Sequence, residues 1–244
     1  MIHSETYRIR NYEADTNGNL WLHSLANYLQ DAADRNSTDL GFGLPQLLEQ
    51  GLSWVLHRMR IDIHRWPKAL EEVIVTTHPS GVERIYVYRD FRVYDQEQNM
   101  LISASSTWLV FDLKKRKLTV PSPELKQGSE PYQNIPHLPR ADQKYPIMPV
   151  TWLYQTQVTA RHIDIDQNQH VNNSVYFHWL LEPLPTDFLL KSTCTSLDIT
   201  FKAECTRGEF VYSRCEPLGD NLYLHRLENE QGGEIASALS TWEN

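Results

Sequence analysis

Apolar positions along the chain change their spacing in a set order, and they do so twice. Residues 5–15 alternate weakly between polar and apolar, as a short strand does. Asn17, Gly18 and Asn19 make a turn. Leu22, Leu25, Tyr28, Leu29 and Ala32 then recur at helical spacing and predict a helix over 20–35, ended by Asn36 and Ser37. A loop with a short helical turn is expected over 41–51. From Ser53 the period becomes two: Trp54, Val55 and Leu56 lead to Met59, Ile61 and Ile63, which alternate with Arg60, Asp62 and His64. Further strands are predicted over 72–78, 82–94 and 100–112, with turns at Pro79-Ser80-Gly81, 95–99 and 114–117. Arg and Lys on alternate positions give the sheet one wet face, and the long helix is the expected cover of the other.

After Trp152 the order repeats. A strand over 154–160 is followed by a polar stretch and a helix over 173–181 that Pro183 and Pro185 end. Strands are predicted over 196–202, 209–216, 221–228 and 234–243. Between the two passes, residues 121–149 hold seven of the 13 prolines and read as a linker, leaving domains at 1–120 and 150–244.

The halves can be laid over each other. At an offset of 151, Asp15 to Leu20 falls on Asp166 to Val171, Tyr28 on Trp179 and Leu29 on Leu180. Later the offset is 138, so Met59, Ile61 and Ile63 meet Leu197, Ile199 and Phe201, and Val73 meets Val211. Ile102 to Trp108 resembles Ile235 to Trp242. The first half therefore carries 13 extra residues around 36–53. Duplicated halves suggest two similar domains in a pseudo-dimer. They differ where it matters for chemistry, because Asn19 stands opposite His170 and Trp66 opposite Glu204.

Composition narrows the classes. Apolar residues make up 41% and aromatic residues 11%, enough for real cores. The net charge of -8, without a basic block, argues against general nucleic-acid binding. No run has the length of a signal or a membrane span, so a soluble, cytoplasmic protein without stable membrane insertion is expected. Cys194, Cys205 and Cys215 are odd in number and widely spaced, which argues against a disulfide framework and against zinc.

The stretch Asp164 to Asn173 concentrates two carboxylates, several amides and a histidine ahead of a helix, where free N–H groups and the positive end of the dipole gather. His170 is the natural acid or base, since its ordinary pKa lies near neutrality. Asp166 precedes it by one turn, and Asn168 supplies an amide able to polarise a carbonyl. Glu204 and Cys205 end the strand that follows the helix. If that strand packs over the helix start, carboxylates from both segments flank one reacting atom, with helix N–H groups as an oxyanion hole. Singly, these residues are more often caps and surface groups than catalysts. A calcium loop at Asp164, Asp166 and Asn168 fails, because Gln169 and Val175 stand where Gly and Glu are needed. No metal or cofactor is expected. A Cys205 thiol nucleophile is the alternative, disfavoured because Glu204 beside it would hinder thiolate formation.

Asp-x-Asn-x-His-Val-Asn-Asn, followed by Tyr176 and Trp179, resembles the acyl-acyl carrier protein thioesterases. Trp54-Val55-Leu56, Ile61, Ile63, Arg65, Pro67 and Thr77-His78-Pro79-Ser80-Gly81 agree with that family's first half, with His78 departing from the usual Trp. Phe201-Lys202-Ala203-Glu204-Cys205 agrees with its second half. The resemblance implies an α+β double hotdog, a long helix wrapped by a curved antiparallel sheet in each half. It implies hydrolysis of fatty acyl thioesters carried on the phosphopantetheine arm of acyl carrier protein (ACP), with Asp166, Asn168, His170 and Glu204 as the catalytic set. Cys205 matches a cysteine of the motif. The acyl chain is then expected in the first half, against Leu25, Leu29, Trp54 and Met59. An acidic carrier would need a basic patch, either Arg58, Arg60, His64, Arg65 and Lys68 or Lys114 to Lys117. A homodimer is compatible with this reading. An acyl-CoA thioesterase of the same fold and a non-catalytic lipid- or carrier-binding module are the competing readings.

Overall fold

The computed structural model describes residues 2–141, 145 and 151–243. They fall into two compact units, 1–20 with 27–141 and 21–26 with 142–244. The first contains β1 (His3–Arg8), most of α1 (Leu22–Asp39), α2 (Leu44–Glu49), β2 (Leu52–Ile63), β3 (Glu72–Glu83), β4 (Tyr86–Tyr94), β5 (Met100–Asp112), β6 (Lys117–Thr119) and α3 (Pro123–Ser129). The second contains β7 (Tyr154–Thr159), α4 (Asn173–Leu181), α5 (Thr186–Lys191), β8 (Thr193–Phe201), β9 (Phe210–Gly219), β10 (Leu222–Asn229) and β11 (Glu234–Glu243).

Strand order in the first unit is β1-β3-β4-β5-β2, with β6 on β5, and in the second it is β7-β9-β10-β11-β8. The named pairs are all antiparallel. Each sheet lies against a helix, which is the hotdog arrangement once in each half. The repeat extends to irregularities. Trp108 pairs with Leu56 and Trp242 with Cys194, beside a register shift in each unit. Each indole N–H donates to a serine two residues back, Ser106 and Ser240, at 2.7 Å. Pro79-Ser80-Gly81 and Pro217-Leu218-Gly219 sit at matching register shifts of β3 and β9.

That last match corrects a sequence expectation. Pro79-Ser80-Gly81 is not a turn. It is a bulge inside β3, which runs on to Glu83. The helix α1 also passes its expected stop. Asn36 and Ser37 do not end it, because their side chains accept hydrogen bonds from the buried Arg89 guanidinium, at 2.8 and 2.9 Å. Arg89 also reaches Thr77 Oγ1 at 3.1 Å, so three neutral oxygens satisfy a charge that burial would otherwise make costly. Tyr28, Leu29, Ala32 and Ala33 form the buried stripe of α1, and Tyr28 stacks on Tyr7 at 4.5 Å.

Residues expected as linker carry structure. Helix α3 and the turn 130–132 lie against β3, and Leu138 N–H donates to Asp90 at 2.9 Å. Residues 142–144 and 146–150 of that stretch lie outside the described residues. Among the described residues no helix is long and apolar enough to cross a membrane.

Candidate active site

The site is built in the second unit from two segments brought together by main-chain bonds. Asp166 accepts the N–H groups of Asn168 at 2.8 Å and His170 at 3.4 Å, and its own N–H donates to His170 O at 2.8 Å. This closes a tight turn in which Gln169 takes a left-handed φ of 65°. Asp164 is buried and held by the Arg161 main chain and guanidinium at 2.7–3.1 Å. Val171 N–H then donates to Cys205 O at 2.8 Å, which docks the turn onto the segment following β8. Asn172 caps α4 by accepting Ser174 N–H at 2.9 Å.

The docking places His170 Nε2 3.1 Å from Glu204 Oε2. The imidazole is partly shielded and the carboxylate open to water, with side-chain exposures of 36% and 66%. A solvent-facing carboxylate beside an imidazole can take a proton from water and pass one on. Asn168 is exposed, and its carboxamide is not bonded among the described residues. The expected oxyanion hole of main-chain N–H groups is not available as drawn. The N–H groups of residues 168 to 172, 174 and 175 already have acceptors inside the fold.

The first unit shows the same scaffold with other groups. Leu20 N–H donates to Pro67 O at 2.8 Å, where Val171 bonds Cys205. Asp15 organises its turn through Asn17 and Asn19, and Gly18 takes the left-handed place of Gln169. Asn19 bonds Lys68 Nζ at 2.6 Å where His170 meets Glu204.

Cys205 stands opposite Pro67. Its carbonyl docks the turn, while its thiol is fully buried. Burial first, and Glu209 second, push the thiol up to about 12. The carboxylate responsible is Glu209 instead of the expected Glu204, and Glu71 is its equivalent in the first unit. All three cysteines are buried free thiols.

Of the expected acyl-chain residues, Leu25, Leu29 and Met59 are fully buried. Trp54 is half-buried and its indole donates to Phe42 O at 2.9 Å. The two basic candidates differ. Arg60 is bound to Asp62 at 2.8 Å and Arg65 to Glu71 at 2.6 Å. Lys114 to Lys117 form an exposed turn at the β5–β6 hairpin, where Lys115 meets Asp112 at 3.1 Å. Leu113, Leu118 and Val120 are exposed beside them.

Family models match in both halves: the acyl-ACP thioesterase N-terminal domain over residues 1–128 and the C-terminal domain over residues 150–244. A chloroplastic acyl-carrier-protein hydrolase of Cuphea viscosissima is 29% identical over 99% of this chain and 63% of the relative. A chloroplastic palmitoyl-acyl carrier protein thioesterase of Cuphea hookeriana is 28% identical over 99% of this chain and 62% of the relative. The chain thus spans a little over three fifths of the length of these relatives. The crystal structure of an acyl-ACP thioesterase from Bacteroides thetaiotaomicron superimposes with a TM-score of 0.91, covering 99% of this chain and 98% of that one at 23% identity, a likeness of fold.

Proposed function

Because the chain belongs to the acyl-ACP thioesterase family, matched by models of both its domains, we propose that it hydrolyses fatty acyl-ACP thioesters, releasing the free fatty acid and ending chain extension. The observation that carries this reading is the His170–Glu204 pair, held at 3.1 Å where the duplicated first unit has Asn19 and Trp66. In this reading Glu204 accepts a proton from water as the water oxygen bonds to the thioester carbon. The Asn168 carboxamide donates to the carbonyl oxygen as it gains negative charge. When the C–S bond breaks, the electron pair leaves with the phosphopantetheine sulfur, and the proton returns to it through His170. Asp166 shapes the turn and takes no part in proton transfer. Leu29, Trp54 and Met59 of the first unit are assigned to the acyl chain, which makes that unit the acyl-binding one and the second the catalytic one; Leu25, expected with them, falls in the second unit. The basic β5–β6 turn is assigned to the acidic carrier, since Arg60 and Arg65 of the other patch already serve carboxylates.

The test is turnover of a chain-length panel of acyl-ACP by the purified protein, with Glu204→Gln and His170→Ala beside it. Loss of a positioned acid or base should lower kcat about 10²–10⁴-fold in each. Near wild-type turnover by Glu204→Gln would refute the assignment. Matched acyl-CoA substrates hydrolysed as fast as acyl-ACP would favour the CoA reading.

A further inference from the structure

His225 lies far from the motif residues in sequence, in the middle of β10, and is fully buried. Its Nδ1 lies 2.9 Å from Leu180 O and its Nε2 2.7 Å from Ser240 Oγ. The proton positions follow from the partners. A carbonyl only accepts, so Nδ1 carries the hydrogen. The Ser240 oxygen accepts the Trp242 indole N–H at 2.7 Å and leaves its hydroxyl hydrogen free to donate to Nε2 when the imidazole is neutral. Burial pulls the pKa down to about 4 and so keeps the imidazole neutral near pH 7, where the Leu180 carbonyl locks it as the Nδ1–H tautomer. One strand away, the fully buried Ser213 donates to the neighbouring carbonyl, Trp179 O, at 2.5 Å.

Both bonds end on α4, the helix that starts three residues after His170. Tyr176, Phe177, Trp179 and Leu180 are buried at positions i, i+1, i+3 and i+4 and form one face, with Ser174 buried at its edge and His178 exposed opposite. Burial of that face sets which side of the helix meets the sheet, but it is non-directional and holds the axial position less closely. Two directional bonds to adjacent carbonyls hold it. The first unit is the control. The strand registers put Val75 opposite Ser213 and Phe91 opposite His225. There α1 continues past the equivalent carbonyls to Asp39, so the helix itself supplies their donors.

We propose that His225, with Ser213, is a positioning residue for the hydrolytic site: it pins the C-terminal carbonyls of α4 to the sheet and so fixes where the helix start delivers His170 to Glu204. The inference rests on the assignment of that pair to the reaction. The test is His225→Phe, which copies the first unit, with His225→Asn and Ser213→Ala. The asparagine Nδ2 can take the place of Nδ1 as donor to Leu180 O, so it should restore what phenylalanine loses. With circular dichroism establishing the folded fraction, His225→Phe should lower kcat about 10²-fold per folded molecule. KM should stay unchanged, Ser213→Ala should lose less, and His225→Asn should recover at least about tenfold of the loss. The His170 imidazole NMR signals should move in His225→Phe and return in His225→Asn. Unchanged kcat per folded molecule with unmoved His170 signals in His225→Phe would overturn the inference; should that variant not fold, the same result in Ser213→Ala would do so. If Glu204→Gln keeps full turnover, the site assignment fails instead, and the NMR shift alone then reads the positioning.

Discussion

Acidification should unfold this protein earlier than its surface charges alone dictate, and His225 allows the size of the effect to be stated. The imidazole is fully enclosed, and burial lowers its pKa from 6.5 to about 4, against the opposing pull of its bond to Leu180 O. The unfolded chain takes up this proton near pH 6.5 and the folded chain only near pH 4. Between those values the unfolded state binds more protons, so stability falls as pH falls. The loss begins near pH 6.5, where it is negligible, and is complete at about pH 4. The gap between the two pKa values corresponds to about 3 kcal/mol, a large part of the stability of an ordinary domain. His78 is also enclosed and also lowered to about 4, mainly by burial, so the wild-type curve alone does not isolate His225. The difference between wild type and His225→Phe does. Urea unfolding followed from pH 7 to pH 4 should show the two stabilities diverging below pH 6.5. Wild type should lose about 3 kcal/mol more than the variant over that interval. Parallel curves would mean that the folded protein accepts a proton on His225 freely, and the locked tautomer would then be wrong.

Three further outcomes can be checked directly. Cys205→Ala should keep kcat within about threefold, because a thiol pushed up to about 12 is protonated at neutral pH, and should cost about 1 kcal/mol for the small cavity it leaves; a kcat loss like that of Glu204→Gln would restore the thiol nucleophile. Gln169→Gly should stabilise by about 0.5–1 kcal/mol, since Gln169 holds a left-handed backbone that Gly18 takes without strain in the first unit, and a lowered urea midpoint would count against it. Reversing Lys114, Arg116 and Lys117 to glutamate should raise KM for acyl-ACP about tenfold and flatten its salt dependence. Hydrolysis of the same acyl group on free pantetheine should stay as in wild type, and a matching rise there would place the effect elsewhere than carrier docking.

Periodicity made most elements legible, and the duplication made the site legible. Residues that misled did so because their partners were distant. Asn36 and Ser37 look like a helix stop until Arg89, more than fifty positions on, takes their oxygens. Pro79-Ser80-Gly81 carries turn chemistry, but β4 pairs on both sides of it and absorbs it as a bulge. Its copy, Pro217-Leu218-Gly219, was in view at the same offset. Helices α3 and α5 begin at or just after prolines, which read locally as breakers although proline suits the start of a helix. His225 has no motif around it. Only its alignment with Phe91 singles it out, and that alignment needs the longer β3–β4 hairpin to be recognised, since Gly81 pairs with Tyr88 where Gly219 pairs with Leu222.

The two units therefore separate what the scaffold requires from what has been added to it. Both use an aspartate to close the turn, a main-chain bond to dock it and a tryptophan–serine pair at the end of the sheet. These features cannot by themselves specify chemistry, since the first unit has them without His170 or Glu204. Beside that pair, the second unit replaces two apolar interior positions with Ser213 and His225, a costly choice in a core unless each polar atom is bonded. Their bonds go to a helix that is half the length of its counterpart and has open carbonyls at its end. Shortening the helix creates the acceptors, and the buried donors then convert an end that would fray into a fixed one. The unit with the exposed acid–base pair is thus the one whose helix is held at both ends, by Asn172 at the start and by Ser213 and His225 at the finish.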